Sequence, residues 1–261
     1  MNAIILAAGL GSRLHPHTID RPKSMLEFGG QTLLGRLIKT FQDSGINDIT
    51  VVTGYKSEKI NLPNVNYIKN KFFRETSTLE SLICAKEKIN DSTIISYSDI
   101  IFQNNILKKL IETEHEISIV VDKQWLKYWK KRTAESVTDA TESVCFNKEG
   151  FLSSIGQPIK NLDNANGHFI GLMKTQGNGS KILLKFIEKQ INERKKSLQL
   201  DPKLDLNKLR IVDVLQDLTI SGEKIETILI NNGWLEFDTT SDLELYNNMK
   251  DNNTLSQFIV L

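Results

Sequence analysis

The alternation of apolar runs and amphipathic segments predicts strands and helices in turn along the first half of the chain. Short apolar runs bounded by glycine or polar residues are typical of buried strands, and apolar residues three and four positions apart are typical of helices. The predicted strands are 3–6, 49–53, 93–97 and 117–121, and the predicted helices are 33–44, 78–89 and 106–114. This order predicts an α/β fold, with a doubly wound, mostly parallel, Rossmann-like sheet and helices on both faces.

The second half of the chain is less regular. Short extended pieces at 143–146, 151–155 and 168–172 stand between turns and predict a small antiparallel excursion. Helices are predicted at 178–195, 206–220 and 241–250, the last with Ser241 as its N-cap, and a strand at 225–230. Without a repeat or a clear linker, we expect a single domain over residues 1–261 with an insertion at about 123–175.

Charge and cysteine content narrow the class of protein. The 33 Lys and Arg residues against 32 Asp and Glu residues give a net charge of +1, which does not favour nucleic acid or an anionic membrane as a partner. Cys84 and Cys145 lack the spacing of a zinc site and are typical of buried thiols in a reducing compartment. Because no stretch is typical of a membrane span or a secretory signal, we expect a cytoplasmic protein with soluble substrates.

The loop after the first predicted strand is the main candidate for anion binding. Gly9 and Gly11 let the backbone approach a ligand, and the N–H groups of such a loop point at phosphate oxygens. The chain has no G-x-x-x-x-G-K-[ST] string, which excludes a Walker loop. A dinucleotide loop would need a third glycine where Leu14 stands and an acid near the end of the second strand, where Thr53 and Gly54 stand instead.

Two cations, Arg13 and Lys23, follow the glycines. A nucleoside triphosphate carries about four negative charges near neutral pH, so a bidentate Arg and a point-charge Lys would complement the loop N–H groups. The alternative is that both side chains are simply exposed and solvated.

The string Leu6-Ala7-Ala8-Gly9-Leu10-Gly11-Ser12-Arg13-Leu14, with Pro16 and Arg21-Pro22-Lys23, closely resembles the signature of the sugar-1-phosphate nucleotidyltransferase superfamily. These enzymes join a nucleoside triphosphate to a phosphate-bearing partner and release pyrophosphate. The resemblance continues in Gly54-Tyr55, Thr76-Ser77, Ser81-Leu82, Ser98-Asp99-Ile100 and Trp234-x-Glu236-x-Asp238. It implies that the nucleotide site consists of Leu6, Ala7, Ala8, Gly9, Gly11, Ser12, Arg13, Lys23, Gly54, Thr76, Ser77, Ser81, Ser98 and Asp99.

Asp99 and Asp238 form the predicted metal site. Asp99 follows the third predicted strand, where open α/β sheets bind ligands, and Mg²⁺ takes one or two protein carboxylates. The resemblance implies that Asp99 and Asp238 hold the catalytic Mg²⁺, with Glu236 as a further ligand or an orienting group. The alternative is that Asp99 caps a helix and Asp238 belongs to a turn.

The middle of the chain resembles the cytidylyltransferase branch, which includes phosphocholine, 2-aminoethylphosphonate and phosphoglutamine cytidylyltransferases. The implied acceptor residues are Trp125, Trp129, Arg132, Asp139, Glu142, Lys160 and Glu236. Asp139 and Glu142 would pair with an acceptor ammonium, and a Trp would offer a cation–π face. Two alternatives stay open, namely that the Trp residues pack in the core and that the two acids form an ion pair with Arg132. Lys160 is implied because Gln157 and Pro158 replace the lysines frequent in the branch.

The implied reaction is in-line attack of an acceptor phosphate or phosphonate oxygen on the α-phosphorus of CTP. Since that oxygen is already an anion, the reaction needs no general base, and Arg13 and Lys23 act as catalytic cations that hold the triphosphate. One alternative is a uridylyl- or thymidylyltransferase acting on a sugar-1-phosphate. Another is a catalytically silent nucleotide-binding regulator on the same fold.

Overall fold

A largely parallel sheet forms the centre of the molecule, and helices cover both of its faces. The computed structural model describes residues 1–132, 142–157, 165–200 and 209–261. Within these ranges the helices are α1 (Leu33–Asp43), α2 (Thr78–Cys84), α3 (Asn104–Glu112), α4 (Trp125–Arg132), α5 (Asn178–Leu200), α6 (Ile211–Ile220) and α7 (Thr240–Asp251). The strands are β1 (Asn2–Ala7), β2 (Glu27–Phe28), β3 (Gln31–Thr32), β4 (Ile49–Thr53), β5 (Asn66–Lys69), β6 (Ser92–Tyr97), β7 (Ile100–Phe102), β8 (Ile117–Asp122), β9 (Ser143–Phe146), β10 (Leu152–Ile155), β11 (Gly167–Gln176), β12 (Glu226–Ile230) and β13 (Trp234–Glu236).

The first strand is the middle of the parallel part of the sheet. β1 pairs in parallel with β4 on one side and β6 on the other, and β5 adds in parallel beyond β4. All six residues of β1 are buried, which explains why its sequence is a continuous apolar run rather than an alternating one. The predicted doubly wound fold is therefore confirmed.

The strand β11 departs from the parallel pattern. It lies between β6 and β8 and pairs antiparallel with both, while β8 pairs in parallel with β12. The β9–β10 hairpin attaches at Gly167 and His168, the first residues of β11. These pairings form the predicted antiparallel excursion, but they also show that β8 does not directly continue the parallel order of the first three predicted strands.

Two hydrophobic clusters, one on each face of the sheet, hold the helices. Leu34, Leu37 and Phe41 of α1 belong to the first cluster. Leu82 of α2 and Leu215 of α6 belong to the second. In the described part of the chain, no helix is both long and apolar enough to cross a membrane.

Several predicted elements differ from the structure, and the helix predicted at 206–220 begins at Ile211. The helix predicted at 78–89 ends at Cys84 and gives way to a 3-10 turn at Lys86–Lys88. The last helix begins at Thr240, because Thr239 rather than Ser241 accepts a bond from the Asp242 N–H (3.2 Å) in a capping box. Residues 125–132 are helical, since Trp125 and Tyr128 bury one face at helical spacing.

Candidate active site

A cavity of about 530 Å³ opens beside the loop that follows β1. Ligands of open α/β sheets bind outside the carboxyl ends of the parallel strands, and both β1 and β6 end at this cavity. The sequence-predicted residues that line it are Leu6, Ala7, Gly9, Gly11, Ser12, Arg13, Lys23, Ser77, Ser98, Asp99, Trp129, Glu142, Glu236 and Asp238. The cavity has two parts: the loop end, with Gly9, Gly11, Arg13 and Lys23, and the aromatic end, with Trp129, Glu142, His168 and Arg210.

Gly11 shapes the loop end. Its φ of +62° lies in the left-handed region, and a Cβ added there would meet the Lys23 Cβ at 2.9 Å. The Thr18 hydroxyl donates a hydrogen bond to the Gly11 carbonyl oxygen (2.7 Å), which fixes the loop over the Lys23 stem. Any larger residue at this position would push the loop away from the lysine.

A small antiparallel pair brings Asp99 and Asp238 together. β7 begins directly after Asp99, and β13 ends two residues before Asp238. Glu236 lies opposite Ile100 in this pair. Asp99, which precedes Ile100, and Asp238, which follows Glu236, therefore lie at the same end of the two-stranded ribbon. The Phe237 N–H donates to the Asp99 carbonyl oxygen (2.9 Å) and extends the pairing past Glu236. Strand pairing thus explains how two acids far apart in the sequence meet.

Lys23 and Arg13 bind this pair of carboxylates. The Lys23 ammonium donates to Asp99 Oδ2 (2.7 Å) and to Asp238 Oδ1 (2.8 Å), and Arg13 Nη2 lies 2.6 Å from Asp238 Oδ2. Burial alone would lower the pKa of Lys23, but the two carboxylates outweigh it and hold that pKa above its ordinary value. Burial opposes ionisation of Asp238 as well, yet Lys23 and Arg13 hold its pKa below the ordinary value. Lys23 and Asp238 are therefore both charged at neutral pH.

The carboxylate pair fits a magnesium ion. Asp99 Oδ1 is buried and has no hydrogen-bond partner within the described ranges, so one acid oxygen is available as a ligand. In the same ranges, no group of three or more His, Cys, Asp or Glu residues is placed to hold a metal. Mg²⁺ needs only one or two protein carboxylates, since phosphate oxygens and water complete its octahedron. Asp99 and Asp238 meet that requirement.

His168 is the centre of the aromatic end. Its ring stacks on Trp125 and on Trp234, with centroids 5.9 Å apart in each case, and Trp129 lies at 4.9 Å. Burial, aided by the charge of Arg132, lowers the pKa of His168 to about 3, so the imidazole is neutral. Neither ring nitrogen has a hydrogen-bond partner among the described residues, although the cavity reaches the side chain.

Acidic groups accompany this aromatic cluster. Glu142 Oε2 lies 3.6 Å from His168 Nε2. Burial, together with the charges of Glu236 and Asp99, raises the pKa of Glu142 well above its ordinary value. The aromatic end therefore combines buried carboxyl groups with ring faces, a composition that suits a positively charged group of a ligand.

Arg132 and Trp125 do not line the cavity, although the sequence predicts contacts with the acceptor. The Arg132 guanidinium binds Asp242 through Nε and Nη2 (both 2.9 Å) and Glu236 through Nη1 (2.5 Å). Its side chain is only 2% exposed, because this bidentate pair and the contact with Glu236 hold it inside the protein. Asp242 in turn accepts a bond from the Asp238 N–H (3.0 Å). Arg132 therefore orients the acids that face the cavity, and its ion-pair partners are Asp242 and Glu236.

Four other predicted nucleotide-site residues do not line the cavity. They are Ala8, Gly54, Thr76 and Ser81. A Cβ on Gly54 would come within 2.6 Å of the Ala8 carbonyl oxygen, so this glycine permits close packing of β4 against the loop. Thr76 Oγ1 and Ser81 Oγ both accept bonds from the Asn70 amide (3.1 and 3.3 Å). Asp139 and Lys160 lie outside the described residues.

Sequence reasoning missed six residues that line the cavity: Leu10, Ser24, Thr78, Tyr97, His168 and Arg210. Four of them could have been predicted from neighbouring motifs. Leu10 and Ser24 belong to the loop motifs, and Thr78 and Tyr97 adjoin the predicted residues Ser77 and Ser98. Gly171, with φ of +81°, supplies the space that the Tyr97 ring occupies. Arg210 stands in no motif, and nothing in the sequence signals it.

The glycine loop after β1, Asp99 and Asp238 line one cavity at the carboxyl ends of the parallel strands, where doubly wound sheets bind ligands. The chain belongs to the MobA-like NTP transferase domain family, whose family model matches residues 3–154. The resemblance to the nucleotidyltransferase superfamily is thus confirmed.

Two cytidylyltransferases are among its relatives by sequence. The CTP:phosphoglutamine cytidylyltransferase of Campylobacter jejuni is 32% identical over 256 residues, which cover 94% of this chain and 98% of that protein. The choline-phosphate cytidylyltransferase of Streptococcus pneumoniae is 33% identical over 108 residues, which cover 40% of this chain and 47% of that protein. The first match therefore extends over the whole length of the relative, and the second over about half.

Solved structures share the fold. The CTP:phosphocholine cytidylyltransferase from Streptococcus pneumoniae superposes with a TM-score of 0.67 at 18% identity, covering 95% of this chain and 98% of that chain. The inositol-1-phosphate CTP transferase from T. maritima superposes with a TM-score of 0.70 at 20% identity, covering 100% of this chain and 98% of that chain. At these identities the likeness establishes the architecture of the sheet and its helices.

Proposed function

We propose that the protein transfers a cytidylyl group from CTP to a small phosphate- or phosphonate-bearing acceptor and releases pyrophosphate. The observation that carries this proposal is the meeting of Arg13, Lys23, Asp99 and Asp238 at the loop end of the cavity. The choice of CTP rests on the full-length match to a CTP-using relative, which supports it over UTP or dTTP.

In the proposed reaction, an anionic oxygen of the acceptor forms a bond to the α-phosphorus of CTP. The bond from that phosphorus to the bridging oxygen of the β-phosphate breaks, and pyrophosphate leaves with the bonding electrons. Because the attacking oxygen carries no proton, no side chain has to remove one. With a pKa of about 3, His168 would be too weak a base to take up a proton near neutral pH, which agrees with a reaction that depends on positioning.

The loop end supplies the positioning. The N–H groups around Gly9 and Gly11 and the cations of Arg13 and Lys23 would hold the triphosphate in line with the acceptor. Asp99 and Asp238 would hold Mg²⁺, which when bound neutralises charge on the phosphate oxygens. Lys23, already bonded to both aspartates, keeps their oxygens turned toward the cavity.

The aromatic end would hold the acceptor. Glu142 and Glu236 line it with the Trp129 ring, and a positively charged nitrogen on the acceptor would meet these groups. Phosphocholine, aminoethylphosphonate and phosphoglutamine all carry such a nitrogen. Asp139 and Lys160 remain proposed partners of the acceptor, for its ammonium and its phosphate respectively.

A pyrophosphate-release assay with four nucleoside triphosphates against these three acceptors and several sugar-1-phosphates tests the proposal. We expect release with CTP and a cationic acceptor, dependent on added Mg²⁺. Release with UTP or dTTP and a sugar-1-phosphate would instead favour the sugar branch. Tight CTP binding without turnover on any acceptor would favour a silent regulator.

A further inference from the structure

The aromatic end of the cavity holds a carboxyl group and a guanidinium group that do not form an ion pair with each other. Glu142 and Arg210 both line the cavity. Arg210 favours the charged form of Glu142 and lowers its pKa, and Glu142 in turn raises the pKa of Arg210. The ion pairs found among the described residues within 4.0 Å do not include this one. Because both side chains line the same cavity without binding each other, a ligand in that cavity can contact both.

Arg210 is held with one edge of its guanidinium free. It precedes α6, and the neighbouring Ile211 N–H donates to Thr78 Oγ1 (3.1 Å), which fixes this point of the chain against α2. Asp213 accepts from Arg210 Nε (3.4 Å) and Nη2 (3.1 Å). Within the described ranges, no acceptor contacts Nη1. The Nη1–Nη2 edge is thus available for a second carboxylate, the group that a planar guanidinium binds best.

Arg210 is not bound to the carboxylates of the loop end. Its ion pair among the described residues is with Asp213, and the ion pairs of Asp99 and Asp238 there are with Lys23 and Arg13. Arg13 and Lys23, by contrast, contact Asp238 directly. A cation in the position of Arg210 is therefore suited to the part of an acceptor that is remote from its phosphate.

His168 supplies an independent sign that a polar ligand reaches this end. The side chain is 1% exposed, lines the cavity, and both ring nitrogens lack hydrogen-bond partners among the described residues. Buried polar atoms normally have partners, because removing such an atom from water without a replacement hydrogen bond is unfavourable. A ligand group with its own donors and acceptors would satisfy them.

We propose that Arg210 and Glu142 bind the carboxylate and the ammonium of a zwitterionic acceptor, so that the substrate class is a phosphorylated amino acid. This inference rests on the proposed function and names the acceptor class of that same site. Arg210 is here a specificity-determining residue. A phosphocholine molecule would satisfy Glu142 but would leave Arg210 facing the ligand without an anion, and selectivity follows from that unpaired charge.

The test compares acceptors with and without a carboxylate in the wild-type protein and in Arg210→Gln and Arg210→Lys. We expect the wild type to prefer phosphoglutamine over phosphocholine and aminoethylphosphonate in kcat/KM. Arg210→Gln should raise the KM for phosphoglutamine roughly 30-fold, the scale of one charge-assisted contact, with kcat and the KM for CTP almost unchanged. The kcat/KM for the two acceptors without a carboxylate should change less than about 3-fold.

Arg210→Lys keeps a charge beside Asp213, so it should fold even if the Gln variant does not. Because lysine lacks the planar guanidinium, the KM for phosphoglutamine should rise roughly 10-fold. Arg74→Gln, at an exposed arginine over the Phe73 ring, is the matched control and should change nothing. Glu142→Gln should raise the KM for all three acceptors, because each of them carries a positively charged nitrogen.

Three results would overturn the assignment of Arg210 while the proposed function stands. Equal losses for all three acceptors would mean that Arg210 binds the acceptor phosphate. A raised KM for CTP would place it at the nucleotide. A wild type that uses only acceptors without a carboxylate would contradict the substrate class. Absence of CTP-dependent pyrophosphate release with every acceptor would instead overturn the proposed function together with this inference.

Discussion

The two ends of the cavity are built in different ways. The loop end comes from one stretch of the chain, residues 6–23, and lines the cavity with two glycines and two cations. The aromatic end collects single side chains from α4, β11, the turn before β9 and the residue before α6. The Arg13 side chain at the loop end is 68% exposed, whereas the His168 side chain at the aromatic end is 1% exposed.

The difference separates two kinds of ligand recognition, one by backbone groups and one by buried side chains. Backbone N–H groups recognise any triphosphate, because they read phosphate oxygens and no other part of the nucleotide. Buried side chains recognise one arrangement of charges, because an unmatched charge in a water-poor site is costly. We therefore expect the loop end to govern turnover and the aromatic end to govern selectivity and fold stability.

The largest expected effect concerns the buried cation behind the aromatic end. Arg132→Met removes the bidentate partner of Asp242 and the contact with Glu236, so both carboxylates lose the cation that binds them. Breaking a buried ion pair costs about 3–5 kcal/mol, so the free energy of unfolding in urea should fall by that amount. Lys131→Met, at an exposed position of the same helix, is the control and should stay within about 0.5 kcal/mol. Equal stability of the two variants would contradict the role of Arg132.

Asp99→Asn tests the loop end. The change removes one charge from the proposed magnesium pair and weakens the bond to Lys23, so kcat should fall at least about 10²-fold. Steady-state pyrophosphate release at saturating Mg²⁺ measures it, with Asp20→Asn at the exposed Arg21 pair as control. Turnover near that of the wild type would remove Asp99 from the mechanism.

His168→Phe tests the aromatic end through pH. The pKa of His168 is about 3 in the folded protein against an ordinary 6.5, so the unfolded chain binds a proton that the folded protein does not. Stability is therefore fully present above pH 6.5 and declines as pH falls toward 3, by about 2 kcal/mol between pH 7 and pH 5. Urea unfolding at both values should show that His168→Phe loses about 2 kcal/mol less than the wild type. If both proteins lost the same free energy of unfolding between these pH values, His168 would have to take up a proton in the folded protein.

Arg13→Gln should give the smallest change in stability. The ion pair with Asp238 is mostly solvated on the Arg13 side, and exposed pairs contribute about 0–1 kcal/mol. Thermal unfolding should therefore shift little, while the KM for CTP should rise about tenfold from the loss of a charge-assisted phosphate contact. A large loss of stability with an unchanged KM for CTP would contradict the expectation that the loop end serves the nucleotide rather than the stability of the fold.

The sequence was informative where function depends on contiguous residues. The loop after β1 and the position of Asp99 after β6 follow from local patterns, because a buried strand and its following turn are encoded within a few residues. The meeting of Asp99 with Asp238 came from resemblance alone, and the β7–β13 pair is its physical cause.

The aromatic end was harder to predict, because its geometry depends on contacts between distant segments. Arg132 has the residue type of a binding group, but partners 104 and 110 residues away draw it into the interior. Arg210 reaches the cavity through the packing of α6 on α2, which no local pattern records. His168 lies in an apolar run typical of any buried strand.

The placement of β11 between β6 and β8 has a consequence for how the chain reaches its folded state. The segment matched by the family model ends at residue 154, before β11 begins. A fragment that stopped there would expose the open edges of β6 and β8, a template for association with other chains. On the ribosome the central sheet is completed only after residues 167–176 have emerged, and β12 joins later still. The smallest piece that can be transplanted as an autonomous unit is therefore longer than the conserved family segment.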